Sequence, residues 1–98
     1  MIKKIKIGYA TVTIRQIDRA DAAASKIFGR YHSDSRTIWI ESSQGEDRYR
    51  NTLLHEIIHA CWDVYGISSD DGEERIVFTL SNALTAALKD NPKLRELI

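Results

Sequence analysis
Residues 55–59 read His55-Glu56-Ile57-Ile58-His59. This string constrains the chain more than any other, because its spacing acquires a meaning only on a helix. At 3.6 residues per turn, positions i and i+4 stand one turn apart and about 40° around the axis, so both imidazoles face one side and can reach one ion. The same projection gathers Thr52, Glu56 and Asp63 within about 100° of His55 and sends Leu53, Ile57, Ala60, Cys61, Val64 and Tyr65 to the other side. A helix that merely wets a polar stripe has the same layout. Composition separates the two: Leu53, Leu54, Ile57, Ile58, Ala60 and Cys61 surround the histidines with uncharged side chains, and a drier site favours metal binding.

The flanking residues frame this helix. Ser43 and Glu46 have capping-box spacing, and Asp47 suits a helix N-terminus, so the helix is expected to start near Ser43. It runs to Tyr65 and stops at Gly66, a residue suited to a left-handed cap. A second helix follows Ser68-Ser-Asp-Asp-Gly72 and carries an apolar stripe of Ile76, Val77, Leu80, Ala83, Leu84, Ala87 and Leu88, which predicts its buried face. Asp90-Asn91-Pro92 ends it and opens a short final turn with Pro92 at the first helical position. Upstream, β-branched residues at a period near two predict one or two strands within residues 3–16, and Asp18 caps a short alanine-rich helical turn. Residues 26–31 and 36–41 read as a hairpin across the polar turn His32-Ser-Asp-Ser, with Ile38 and Ile40 on one face and Trp39 on the other.

A catalytic zinc has three protein ligands and an open fourth position, so His55 and His59 need a third partner. Glu73 and Glu74 open the second helix, fifteen residues or fewer after His59, and either can close the site if that helix folds back. His32, in the hairpin turn, is expected to face solvent. Asp63, one turn beyond His59, is a candidate to orient a histidine. Tyr31, Tyr49 and Tyr65 carry hydroxyls suited to an oxyanion, but spacing assigns that role to none of them. Cys61 points to the apolar side, Trp62 lies beside His55 where it could wall a cleft, and Lys3, Lys4 and Lys6 read as a solvated strand face.

The segment Thr52-Leu-Leu-His-Glu-Ile-Ile-His-Ala-Cys61 resembles the zincin motif, and a downstream helix bearing glutamate resembles the gluzincin branch of metallopeptidases. More narrowly, the stretch from His55 to Pro92, with Glu74-x-x-Val77-x-x-Leu80 and Leu88-Lys-Asp-Asn-Pro92, resembles small phage and prophage HExxH metallopeptidases; the likeness spans about residues 25–92. It implies one zinc per chain on His55, His59 and Glu74, with Glu56 as general base. Helical phase points instead to Glu73, which precedes Ile76, Val77 and Leu80 at i+3, i+4 and i+7, so Glu74 is the expected ligand and Glu73 the close alternative. Larger gluzincins carry an aspartate four residues after the ligand glutamate to orient a histidine. Here Phe78, or Val77 if Glu73 binds, takes that place.

Ninety-eight residues predict one domain over the whole chain. Fourteen basic residues balance fourteen acidic ones, so the broad positive field that drives nucleic-acid binding is not expected. No run approaches the ~20 apolar residues of a membrane span, and a lone cysteine fits a reducing cytoplasm, of a bacterial host if the phage likeness holds. The expected architecture is a minimal zincin-like α+β fold: a small N-terminal sheet with a hairpin, then an active-site helix and a ligand-bearing helix. The expected function is zinc-dependent peptide hydrolysis on a peptide or protein substrate, with an edge strand at residues 36–41 receiving the peptide. There are two rivals: a non-catalytic protein, with zinc structural or absent, that docks on a host or phage partner, and zinc-dependent hydrolysis of a non-peptide amide by the same residues.

Overall fold
The computed structural model describes residues 3–67 and 72–97. The stretch Ser68–Asp71, expected to join the two long helices, lies outside the described residues. Strands β1 (Lys4–Ile7) and β2 (Ala10–Gln16) form an antiparallel hairpin, with Ile5 opposite Val12 and Ile7 opposite Ala10. Gly8 turns the chain at φ 56°, a left-handed conformation that glycine adopts without steric cost. Helix α1 (Arg19–Ser25) follows, its first turn held by the Ala20 N–H donating to the Asp18 carboxylate at 3.0 Å.

Strands β3 (Gly29–His32) and β4 (Thr37–Ile40) then make the expected second hairpin, Tyr31 facing Ile38. The sheet order is β1-β2-β4-β3, and β4 runs parallel to β2. The strand within residues 36–41 is therefore internal, and β1 and β3 are the edges. The expectation of an edge at 36–41 fails because β4 pairs on both sides, a long-range pairing with β2 that hairpin spacing does not encode. Alternation behaves as expected. Val12, Ile14, Ile38 and Ile40 fill the face that receives the first long helix, while Trp39 lies on the opposite face.

That helix, α2 (Glu46–Val64), packs Ala60 and Val64 into the sheet core, with Leu53, Ile57 and Cys61 alongside. Its N-terminus differs from the expected capping box. Gly45 is the N-cap, and Ser43 instead donates through its N–H at 2.6 Å and through its hydroxyl to the buried Glu41 carboxylate. Satisfying a buried charge outweighs the cap, whose loss costs about 1 kcal/mol. The C-terminus forms as expected: Gly66, at φ 70°, donates to the Asp63 carbonyl at 3.1 Å, and Ile67 donates to that of Trp62 at 3.0 Å.

Helix α3 (Glu73–Asp90) lies against α2, and α4 (Pro92–Leu97) closes the chain. The buried face of α3 is not the predicted stripe. Val77 and Ser81 are both 0 % exposed, whereas Ile76, Leu80 and Leu84 are 42–45 % exposed. The α2 surface beneath α3 carries Asn51, His55 and His59, so polar complementarity sets the rotation of α3. Asn51 donates from its amide to Asn82 at 3.0 Å and Thr85 at 3.1 Å, and His55 meets Ser81. At the surface, Lys89 reaches Asp47 at 2.8 Å and ties the end of α3 to the start of α2.

Candidate metal centre
The two histidines stand as helical spacing requires, ring centroids 4.9 Å apart, on the side of α2 that faces α3. Glu74, in the first turn of α3, meets both: its carboxylate oxygens lie 2.9 Å from Nε2 of His55 and 2.8 Å from Nε2 of His59. Glu73 approaches His59 from the other side, with Oε2 2.7 Å from Nδ1. Adjacent residues thus divide the work that the sequence left open. Glu74 joins the convergent nitrogens, and Glu73 sits behind one of the rings.

His55, His59 and Glu74 offer ligand atoms within 4.8 Å of one another, close enough to hold a metal ion. Tetrahedral zinc, with bonds of about 2.0–2.2 Å to nitrogen and oxygen, sets its ligand atoms about 3.3 Å apart, so the cluster needs only small adjustments to accept one. The protons point the same way. The Glu73 carboxylate can only accept, so Nδ1 of His59 donates to it, which leaves Nε2, facing the Glu74 carboxylate, as the ring nitrogen available to an ion.

Glu56 is 7 % exposed beside the two histidines. Burial, the largest influence, lifts its carboxyl above the ordinary carboxylate value, opposed by the charges of His55 and His59 and by a hydrogen bond from the Tyr31 backbone N–H. That bond comes from β3, which α2 approaches closely at one point. A Cβ on Gly29 would stand 2.5 Å from Thr52 Cγ2 and 3.4 Å from Glu56 Cγ, so only glycine lets the helix carry Glu56 this near to the strand.

A cleft of about 450 Å³ opens over these groups, walled by Gly29, Arg30 and Tyr31 of β3 on one side and by Glu73 and Glu74 on the other. The Tyr31 hydroxyl lies in it and donates to Asp63 at 2.6 Å; burial and this bond push its pKa up, so the phenol stays protonated. Asp63 is thus taken up by Tyr31, not by a histidine, and the orienting role expected for it passes to Glu73. The sequence offered no sign of this because Tyr31 and Asp63 are 32 residues apart. Trp62 does not wall the cleft, and His32 ends β3 exposed to solvent. Cys61 packs against the core, where burial raises its thiol pKa and leaves it protonated. Ser81, which spacing did not single out, stands with its hydroxyl 3.4 Å from Nδ1 of His55.

A small sheet, a helix bearing His-Glu-x-x-His and a following helix that returns a glutamate to it define a zincin-like domain of metallopeptidase type. The chain belongs to the Peptidase_M78 family, described as the IrrE N-terminal-like domain, whose sequence model matches residues 9–88. That span runs from the turn before β2 to near the end of α3 and includes all the cleft residues named above. No curated protein and no solved structure matches the chain.

Proposed function
We propose that this domain is a zinc-dependent metallopeptidase in which His55, His59 and Glu74 hold the ion and Glu56 is the general base. The observation that carries the proposal is the convergence of two Nε2 atoms and one carboxylate beside a second, buried carboxylate, all in one open cleft. Zinc bound there supplies a Lewis acid for the scissile carbonyl and brings the pKa of an attacking water toward ~7. Glu56 accepts the proton of that water and delivers it to the departing amine. Its raised pKa makes it a stronger base toward that water. The Tyr31 N–H fixes the carboxylate while it does so.

The peptide is presented by β3, the edge strand on the cleft wall, in place of the strand at 36–41. An extended substrate adding to that edge through main-chain hydrogen bonds lies across Glu56, and main-chain pairing leaves specificity to the side chains of the wall. The likeness of residues 55–92 to small phage and prophage proteins supports the further reading that the substrate is a host or phage protein in a bacterial cytoplasm. No described helix is long and apolar enough to cross a membrane.

Zinc-loaded protein, incubated with a mixed peptide library read by mass spectrometry, tests the function. Wild type is expected to cleave, and Glu56→Gln to lose about 10²–10⁴-fold in rate while retaining its zinc. A wild type that holds zinc and cleaves nothing overturns the peptidase, and full activity in Glu56→Gln overturns the assigned base.

A further inference from the structure
Both histidines have a second ring nitrogen, and in both the partner of that nitrogen comes from α3. Behind His59 is Glu73, 2.7 Å from Nδ1, with both side chains largely shielded from solvent. Behind His55 is Ser81, fully buried, with Oγ 3.4 Å from Nδ1. The Ser81 hydroxyl has one proton, and it goes to the Phe78 carbonyl at 3.1 Å. While that bond holds, Ser81 turns its lone pairs to His55 and accepts. A carboxylate likewise only accepts. Each histidine is thus offered an acceptor at Nδ1, and each is driven to the tautomer that carries its proton there and leaves Nε2 bare.

We infer that Glu73 and Ser81 are positioning residues that lock His59 and His55 in the Nδ1–H tautomer, so that α3 prepares the two rings for the ion as well as supplying its third ligand. The inference rests on the zinc reading above and adds to it. It explains how the chain replaces the aspartate that larger gluzincins place four residues after the ligand glutamate, where this chain has Phe78, 59 % exposed. That role moves one residue upstream of the ligand. Consecutive helical residues point about 100° apart, which lets Glu74 reach the front of the His59 ring and Glu73 the back. The two supports are unequal. A charged acceptor at 2.7 Å makes a short, strong hydrogen bond and raises the basicity of Nε2, whereas a neutral hydroxyl at 3.4 Å holds a ring only loosely.

The test is zinc affinity, measured without substrate by competition with a chromophoric chelator, together with imidazole ¹⁵N shifts in the zinc-loaded protein. Wild type is expected to show zinc on Nε2 and a proton on Nδ1 in both rings. Glu73→Ala should weaken zinc binding about 10–100-fold. Glu73→Gln, whose amide oxygen still accepts from Nδ1, should recover part of that loss and keep the ¹⁵N pattern of His59. Ser81→Ala should cost less than Glu73→Ala. Far-ultraviolet circular dichroism identifies any variant that has lost its fold, and the Gln variant, nearly isosteric, then carries the test.

Affinity in Glu73→Ala within about twofold of wild type, below the range for such partners, overturns the inference, as does zinc on Nδ1 of either ring. A loss as complete as that of His59→Ala also overturns it, because Glu73 is then a ligand. Wild type that binds no zinc removes the metal reading and this inference together. Zinc bound without peptide cleavage removes only the peptidase.

Discussion

The role proposed for Glu56 conflicts with stability. The buried carboxyl ionises less readily in the folded chain than in the unfolded one, so its folded pKa is the higher of the two. A group with that sign contributes its full stability below the ordinary carboxylate value and loses it as pH rises through the raised value. The ionised Glu56 carboxylate therefore destabilises the metal-free fold. Glu56→Gln removes the charge and keeps an oxygen to accept the Tyr31 N–H. Metal-free Glu56→Gln is expected to melt above wild type at about pH 8, and the gap should close toward about pH 4. Differential scanning calorimetry in the presence of chelator checks this, and a melting temperature at or below that of wild type at the higher pH contradicts it.

At the scale of the elements, the contact between α2 and α3 decides whether a site exists. Its centre is polar: Asn51 spans to Asn82 and Thr85, and His55 to Ser81, with Val77 the fully buried apolar residue of α3. The apolar stripe at Ile76, Leu80 and Leu84 remains at the surface. Substitutions should divide along that line. Leu84→Lys is expected to change stability by less than about 0.5 kcal/mol, as surface changes do. Val77→Ala should cost about 1–3 kcal/mol through lost burial and the cavity left behind. Urea melts of the two variants measure both values. A larger cost at Leu84 than at Val77 would restore the face that periodicity predicts.

At the scale of the whole molecule, the proposed ligands come from two elements that backbone pairing does not join. The sheet is closed by its own hydrogen bonds, whereas α3 reaches the rest chiefly through α2. An ion held by His55 and His59 on one helix and Glu74 on the other, as proposed, would pin the two together and stabilise the fold by mass action, because the unfolded chain has no formed site. At a free zinc concentration about 1,000 times the dissociation constant, the gain is about 4 kcal/mol, worth more than about 10 °C in melting temperature for a chain this size. Thermal melts with zinc and with chelator should differ by that much, and His59→Ala should abolish most of the difference. Equal melting temperatures in wild type would mean that no ion bridges the helices.

The sequence by itself determined what is local. Alternation placed Val12, Ile14, Ile38 and Ile40 on one face, i/i+4 spacing set His55 beside His59, and Gly66 marked the helix end, because each depends on a period or a dihedral angle within a few residues. Tertiary structure decided what depends on distant partners. Spacing could not separate Glu73 from Glu74, since the choice follows from the rotation of α3. That rotation is set by a polar contact with α2 and not by the stripe of α3 itself. The edge strand, the Tyr31–Asp63 bond, the capture of Ser43 by Glu41 and the support of His55 by Ser81 were equally out of reach. In each, a buried polar group or an unpaired strand edge takes its partner from whatever the fold brings near, and the cost of leaving it unsatisfied exceeds local preference.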